Sequence, residues 1–290
     1  MEMIAFGCVI SVRLSSCIIL RGSSFSAAMS MGGFKDKEQA SLYAQYRPTY
    51  PATVYTTIVE YLNSGRNSCS SLELAVDVGC GSGQSTTPLC KYFKQVIGYD
   101  VSEQQIAHAP KDIENLKFKV GPGEDLGFLE DCSTDLITCA QAVHWLDRDM
   151  FYKEVRRVLR PGGVCAAYGY GISVLDNPEA QKTNVQFYND YVYPYLHENS
   201  KLCYDHYKYI ERPFEHSELI ENDEISIKRE MPIEAYIGFL ASASSWRKYL
   251  QSNPSSDVLD KLKDKYQEIY GGGCIGVTWP VFILIGRKPA

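Results

Sequence analysis

A glycine-rich loop that follows a short apolar run constrains this chain more than any other feature. Residues 74–83 read Leu-Ala-Val-Asp-Val-Gly-Cys-Gly-Ser-Gly, and an acid is followed there by three alternate glycines: Asp77, Gly79, Gly81 and Gly83. Alternate glycines allow positive φ angles and let a ligand approach the backbone closely. The loop departs from the G-x-G-x-x-G spacing of dinucleotide-binding proteins at Gln84, and it lacks the G-K-[ST] ending of P-loops. It therefore favours a cofactor without a pyrophosphate.

Apolar runs alternate with helix-like stretches on both sides of this loop. Five runs predict buried strands: Leu72–Val78, Gln95–Asp100, Lys117–Val120, Leu136–Ala140 and Val164–Tyr168. Four stretches predict helices: Ala52–Leu62, Gln84–Phe93, Ser102–Ala109 and Asp149–Leu159. Short apolar runs that alternate with helices are typical of a parallel sheet covered by helices on both faces. The sequence therefore predicts an α/β fold.

The last third of the chain breaks this rhythm. Residues 172–222 are polar and rich in tyrosine, and Glu224–Glu230 predicts a strand. Pro232–Tyr249 and Asp257–Tyr270 predict helices, and the apolar run Val277–Ile285 predicts a final strand that returns to the sheet. We expect residues 35–290 to form one domain, in which insertions at about 172–222 and 232–270 make a helical lid over the carboxyl edge of the sheet.

The first 34 residues differ from the rest in composition. No acidic residue occurs between Met3 and Phe34, and Arg13 interrupts an apolar, serine-bearing stretch that would otherwise approach the length of a membrane span. We interpret residues 1–34 as a disordered extension upstream of a second start at Met29 or Met31. The alternative is a mitochondrial targeting arm. The expected location is therefore the cytoplasm or, on the second interpretation, the mitochondrion.

Composition excludes several classes of function. The 290 residues carry a net charge of −6 and no basic tract, which argues against nucleic acid as a partner. None of the ten cysteines is spaced C-x-x-C. We therefore expect reduced thiols, and we expect neither a disulfide framework nor a metal site. We expect no membrane partner, and a monomer or weak dimer.

Acids follow the second and third predicted strands. The second strand ends at Asp100, and a carboxylate in that place can accept both hydroxyls of a ribose. Ser102 is the better N-cap of the next helix, which leaves Asp100 for a ligand. After the third strand, Gly123-Glu124-Asp125 places acids where an adenine amino group can be bound.

These segments together resemble the class I S-adenosylmethionine-dependent methyltransferases over residues 36–286. Asp77 and the three glycines match the family's first motif, Asp100 its ribose acid, and Gly123-Glu124 its adenine side, although Pro122 stands where many members have an acid. The resemblance implies a Rossmann-like, seven-stranded, mostly parallel sheet and S-adenosyl-L-methionine as the cofactor. The implied cofactor-binding residues are Arg47, Asp77, Gly79, Gly81, Gly83, Asp100, Val101, Gly123, Glu124 and Gln141.

Two further segments resemble the trans-aconitate methyltransferase-like branch. They are Tyr46-Arg47-Pro48-Thr49-Tyr50-Pro51 and Gln141-Ala142-Val143-His144-Trp145. Members of that group methylate small molecules, often carboxylates, so O-methylation of a small carboxylate is the expected function. The expected substrate-binding residues are Tyr46, His144, Trp145 and Arg247. His144 is also the candidate for a catalytic base, which an alcohol, phenol or protonated amine would need and a carboxylate would not.

Two alternatives to this function stay open from the sequence. One is a non-catalytic cofactor-binding or scaffold protein of the same fold, against which the intact acids and glycines argue. The other is methylation of a protein or a nucleic acid. The segment after the fourth strand lacks the [DNS]-P-P-[YF] motif that holds an exocyclic amine, which argues against nucleic acid.

Overall fold

The computed structural model describes residues 47–65 and 71–289. The expectations for the N-terminal arm and for Tyr46 lie outside the described residues. Within them, no helix is both long and apolar enough to cross a membrane.

Seven strands form the main sheet: β1 Leu74–Val78, β2 Gln95–Asp100, β3 Leu116–Val120, β4 Thr134–Ala140, β5 Leu159–Tyr170, β7 Glu218–Glu221 and β10 Val281–Arg287. Their order in the sheet is β3-β2-β1-β4-β5-β10-β7. Strands β1 to β5 run parallel, and β10 runs antiparallel to both of its neighbours. The predicted seven-stranded, mostly parallel sheet is confirmed. The chain order reverses between β1 and β4, and in open α/β sheets ligands bind at the carboxyl ends of strands flanking such a point.

Helices cover both faces of this sheet. Helix α1 (Ala52–Ser64) directs Ile58 and Leu62 into the same apolar cluster as Ala75 of β1. Helix α3 (Arg148–Val158) directs Val155 into the other cluster, together with Val76. Neighbouring residues of β1 point to opposite faces because side chains alternate along a strand, whereas helical residues four apart share a face. A short helix, α2 (Glu103–Ala107), follows β2.

The predicted helix Gln84–Phe93 is wrong, because only a 3₁₀ helix forms there, from Thr87 to Lys91. Pro88 lacks an N–H, and it follows two threonines that favour other local hydrogen bonds over helix. The Thr86 hydroxyl donates to Asp77, and the Thr87 hydroxyl donates to the backbone carbonyl of Gly83.

The last third contains a second sheet that the sequence analysis did not predict. Strands β6 (Val174–Leu175), β9 (Cys274–Trp279) and β8 (Ile227–Pro232) pair antiparallel in the order β6-β9-β8. The strand predicted at 224–230 corresponds to β8 and lies in this small sheet. The run Val277–Ile285, predicted as one strand, is divided at Pro280 between β9 and β10, since proline cannot continue the ladder.

Five helices build the part of the chain that we expected to form a lid. They are α4 (Pro178–Phe187), α5 (Glu198–Tyr204), α6 (Ile233–Ala241), α7 (Ser244–Ser252) and α8 (Val258–Tyr270). Aromatic rings join them: the ring centroids of Phe187 in α4 and Trp246 in α7 are 5.7 Å apart, and those of Tyr191 and Tyr249 are 5.3 Å apart. Much of the tyrosine-rich segment is therefore internal packing of these helices.

Candidate functional site

The glycine loop has the backbone geometry that its sequence predicts. Gly79, Gly81 and Gly83 have φ angles of +70°, +55° and +87°, which disfavour other residues. A Cβ on Gly79 would lie 2.4 Å from Cβ of Ala142, and one on Gly83 would lie 2.6 Å from Cζ of Phe118. A Cβ on Gly81 would meet no atom nearer than 3.9 Å. The first and third glycines are thus required by close packing, whereas Gly81 has an open face that a ligand can approach.

The carboxylate of Asp77 is enclosed beneath this loop. The side chain is completely buried. One of its oxygens accepts a hydrogen bond of 2.7 Å from the Thr86 hydroxyl, and the other accepts one of 2.8 Å from Thr138. Burial raises the pKa of Asp77 to about 6, although the two hydroxyls lower it; the charge of Asp100 adds to the increase. Asp77 therefore connects β1 to β4 and to the chain after the loop. Because it is completely buried, it supports the glycine loop from the interior of the protein.

Asp100 lies at the tip of β2 and faces the loop. Its Oδ2 accepts a hydrogen bond from the Gly81 N–H, and its Oδ1 accepts one from the Ser102 N–H, both of 2.8 Å. As predicted, Ser102 is the N-cap of α2. Each carboxylate oxygen has lone pairs for a further donor. The two amides hold the carboxylate in an orientation in which it can also accept the hydroxyls of a vicinal diol. Val101, beside it, is 47% exposed and offers an apolar surface.

The loop after β3 is fixed by packing. A Cβ on Gly123 would lie 2.9 Å from Cγ1 of Val78 and from Cδ2 of Leu146. Glu124 accepts a hydrogen bond of 2.9 Å from the N–H of Asp147, which is the N-cap of α3. One oxygen of Glu124 is thus engaged with the protein. The close packing at Gly123 brings this loop against the carboxyl end of β1, next to the glycine loop.

Gln141 connects the end of β4 to α5. Its φ angle is +54°, and its N–H donates to the backbone carbonyl of Tyr168 in β5 over 2.8 Å. Its side-chain oxygen accepts a hydrogen bond from the thiol of Cys203 in α5 over 2.9 Å. Because the next residue, Ala142, packs on Gly79, the segment that begins at Gln141 contacts both the glycine loop and α5.

His144 is buried in this segment, with only 4% of its surface exposed. Its Nδ1 lies 2.9 Å from the hydroxyl of Tyr207. Burial lowers the pKa of His144 to about 3, and the charges of Arg148 and His197 lower it further. The ring is therefore neutral at neutral pH. Trp145 is 38% exposed, and its ring centroid lies 5.1 Å from that of His144.

Arg47 lies between the end of β5 and α6. Its guanidinium donates to the hydroxyl of Tyr170, at the end of β5, over 3.0 Å and lies 5.5 Å from the ring centroid of Phe239 in α6. It lines a small cavity of about 20 Å³, and the other described residues that line it are aromatic or aliphatic: Phe187, Tyr188, Val192, Tyr204, Phe239, Leu240 and Ala243. Arg247 of α7 is half-buried and is not among the described residues that line this cavity.

Several residues of the site escaped the sequence analysis. Asp77 bonds to Thr86 and Thr138, Gln141 bonds to Cys203, and His144 bonds to Tyr207. Three of these four partners lie about 60 residues away in the sequence. The one available signal was Thr138, a polar residue inside the apolar run of β4. Over residues 47–65 and 71–289, no group of three or more potential ligands is placed to hold a metal ion.

Comparison with known proteins agrees with this geometry. A family model described as a methyltransferase domain matches residues 76–167, from β1 to β5. A Dictyostelium discoideum protein named as a methyltransferase is 32% identical over 85% of this chain and 92% of its own length. CRG1 of Saccharomyces cerevisiae, named as a probable S-adenosylmethionine-dependent methyltransferase, is 26% identical over 86% of this chain and 96% of its own length.

A solved structure is similar over much of the fold. A protein of Anaeromyxobacter dehalogenans described as a type II methyltransferase superimposes with a TM-score of 0.71 and is 29% identical, over 84% of this chain and all of the other. The residues of this chain fit the cofactor of such enzymes, since Gly81 leaves an open face next to the acceptor atoms of Asp100 and the exposed apolar side chain of Val101. The chain belongs to the S-adenosylmethionine-dependent methyltransferases.

Proposed function

We propose that this enzyme methylates a carboxylate oxygen of a small molecule, as the resemblance to the trans-aconitate methyltransferase-like branch implies. One observation carries the proposal. The guanidinium of Arg47 lines a cavity next to the end of β5, and the other described residues that line this cavity are aromatic or aliphatic. A cation in apolar surroundings favours an anionic ligand with an apolar body, because the charge pair is stronger in a poorly hydrated site. The cavity is small, so the acceptor enters only when the lid helices separate.

The cofactor occupies the carboxyl edge of the sheet in this proposal. Asp100 accepts the ribose hydroxyls, the backbone at Gly81 approaches the methionine part, and Val101 packs on the adenine. Gly123, Glu124 and Gln141 complete the walls of the cofactor site. Gly79 and Gly83 determine the shape of the loop through their packing, and the buried carboxylate of Asp77 supports it from the protein interior.

Methyl transfer to a carboxylate requires the protein mainly to align the reacting groups. S-adenosylmethionine supplies a methyl group already activated by the positive sulfonium. A carbon–oxygen bond forms as the carbon–sulfur bond breaks, giving a methyl ester and S-adenosylhomocysteine, and no proton is transferred. Holding the carboxylate in line accounts for much of the acceleration. A dry site favours the step further, since opposite charges neutralise each other on the way to the transition state. A base is not required, which suits the neutral, buried ring of His144.

A matched set of acceptors tests the proposal. The purified enzyme is incubated with methyl-labelled S-adenosylmethionine and with acids, amides, alcohols and amines built on the same apolar skeletons. We expect label only in the acids, in a product that mild base hydrolyses, as a methyl ester requires. Preferred labelling of an alcohol or amine, or labelling of protein or nucleic acid with no small acid accepted, would refute it.

The resemblance assigns Arg47 to the cofactor, whose methionine part carries a carboxylate, whereas this proposal assigns it to the acceptor. Variants of Arg47 separate the two assignments. Arg47→Gln removes the guanidinium, and we expect the KM for the acid to rise about 10- to 100-fold, which is the loss of a charge-assisted hydrogen bond. The calorimetric Kd for S-adenosylmethionine should change little. Arg229→Gln is the matched control, because Arg229 contacts Thr49 outside the cavity. If the cofactor Kd rises and the KM does not, Arg47 binds the methionine carboxylate, and the assignment to the acceptor fails.

A further inference from the structure

The hydrogen bond between His144 and Tyr207 involves a tyrosine outside every motif of the sequence. Nδ1 of His144 and the Tyr207 hydroxyl are 2.9 Å apart, and the ring centroids are 5.8 Å apart. Only 1% of Tyr207 is exposed. The contact joins the turn after β4 to the chain that follows α5 in the lid. It therefore connects the segment that holds two of the expected substrate-binding residues, His144 and Trp145, directly to the lid.

Tyr207 is held firmly in an uncommon backbone conformation. Its φ angle is +56°, and that of His206 before it is +55°. Such angles are unfavourable for residues other than glycine and persist only where the surroundings impose them. Here the Tyr207 N–H donates to the carbonyl of Leu202 over 2.9 Å, and the tyrosine ring meets Phe282 edge-on at 4.9 Å. The hydroxyl is consequently presented to His144 from a rigid support.

The surroundings of His144 determine its protonation state. The charged and titratable groups that face the pair come from several elements: Arg148 of α3 with its ion-pair partner Glu211, His197 and Cys203 at α5, Cys139 of β4, and Tyr50. The imidazole is neutral, and burial raises the pKa of Tyr207 well above its usual value, so the phenol keeps its proton. A neutral imidazole has one donor and one acceptor nitrogen. The Tyr207 hydroxyl lies beside two possible acceptors, Nδ1 of His144 and the sulfur of Cys203, whose own thiol proton goes to Gln141. Because an imidazole nitrogen is a stronger acceptor than a thiol sulfur, Tyr207 donates to Nδ1.

We infer that Tyr207 is a positioning residue that fixes His144 as the Nε2–H tautomer, so that the ring presents a hydrogen-bond donor to the acceptor's carboxylate. A carboxylate in place of Tyr207 would accept from Nδ1–H and leave Nε2 as a base, which is the usual arrangement of a catalytic histidine. The described residues give Nε2 no hydrogen-bond partner, yet it is not one of the fully enclosed polar atoms. Nε2 therefore keeps a small accessible surface, although the residue as a whole is only 4% exposed. This inference rests on the proposed function, since it assumes an anionic acceptor.

The tautomer can be measured without any acceptor. In protein labelled with ¹⁵N-histidine, ring nitrogen chemical shifts report which nitrogen carries the proton, and the spectrum of His144→Gln identifies the signals among those of the five histidines. We expect protonated Nε2 and unprotonated Nδ1 from pH 5 to 8, and a shift of the Nδ1 signal in Tyr207→Phe. A proton on Nδ1, or an imidazolium at neutral pH, overturns the inference whatever the acceptor is.

A kinetic cycle tests whether Tyr207 acts through His144. We expect Tyr207→Phe to raise the KM for the acid about 3- to 10-fold, with kcat little changed, and to add nothing in a His144→Gln background. Tyr152→Phe is the matched control: Tyr152 is 3% exposed and lies in the same apolar cluster, and its hydroxyl has no hydrogen-bond partner among the described residues. If Tyr207→Phe raises the KM equally in wild type and in His144→Gln, Tyr207 acts through packing and not through His144. A fall in kcat with loss of an ascending pH limb makes His144 a base. Either result refutes the inference.

Discussion

Replacement of Asp77 by asparagine tests how the glycine loop is held. Asparagine keeps the shape of the side chain and can still bond Thr86 and Thr138, but it does not titrate. In an unfolded chain Asp77 loses its proton near its usual pKa of 3.8, whereas in the folded protein the pKa is raised by burial to about 6. Between these values the folded state binds a proton that the unfolded state has lost. The free energy of unfolding should therefore fall as pH rises through this window.

The size of the effect follows from the two pKa values. A difference of about two units corresponds to about 3 kcal/mol, developed between about pH 4 and pH 6 and constant above. Urea unfolding of both proteins at several pH values measures it, because all other titrating groups cancel in the difference. Wild type should lose about 3 kcal/mol relative to Asp77→Asn between pH 4 and pH 7. The free energy of unfolding of wild type minus that of Asp77→Asn is the quantity to follow. If it is constant or rises with pH, the folded protein stabilises the Asp77 carboxylate by more than the two hydroxyls.

Two further predictions concern the same loop. Asp100→Ala should weaken binding of S-adenosylmethionine by about 1–3 kcal/mol, or about 5- to 150-fold, and calorimetry that gives an unchanged Kd in a folded variant would remove Asp100 from the site. Gly83→Ala should destabilise the fold by about 2–4 kcal/mol, from its φ of +87° and its contact with Phe118. Gly162→Ala is the control, since it shares a positive φ but meets no atom within 4 Å, and should cost about 1 kcal/mol. Equal losses of stability in the two variants would contradict the packing argument.

The core of the fold was predictable because its signals are local. Buried parallel strands appear in the sequence as short apolar runs, and the turn from β1 into the glycine loop needs glycine at positions where the backbone has a positive φ. The same logic failed between Gln84 and Phe93, where Pro88 and the threonine hydroxyls prevented a regular helix. It also failed for β7, a short edge strand with the sequence Glu-Leu-Ile-Glu, whose pattern is too brief to recognise.

The interactions that shape the site were not predictable in the same way. The role of Ser102 as the N-cap of α2, by contrast, followed from the sequence, because a cap and its helix are adjacent in the chain. The order of the strands in the sheet brings Asp77 and Thr138 together. The packing of the chain after α5 brings Tyr207 to His144. The sequence marked Asp77 as a motif acid, but only the three-dimensional structure shows that both its oxygens are enclosed. Periodicity and motif spacing carry no information about such long-range hydrogen bonds.

A crystal structure with S-adenosylhomocysteine and an acid identified by the labelling experiment would locate the cofactor and the acceptor together. We expect ribose hydroxyls within hydrogen-bond distance of the Asp100 carboxylate. We also expect the acid's carboxylate to contact the Arg47 guanidinium, with one oxygen pointing at the cofactor's sulfur. A ribose bound away from Asp100, or an acid whose carboxylate lies outside the cavity lined by Arg47, would contradict the proposed function.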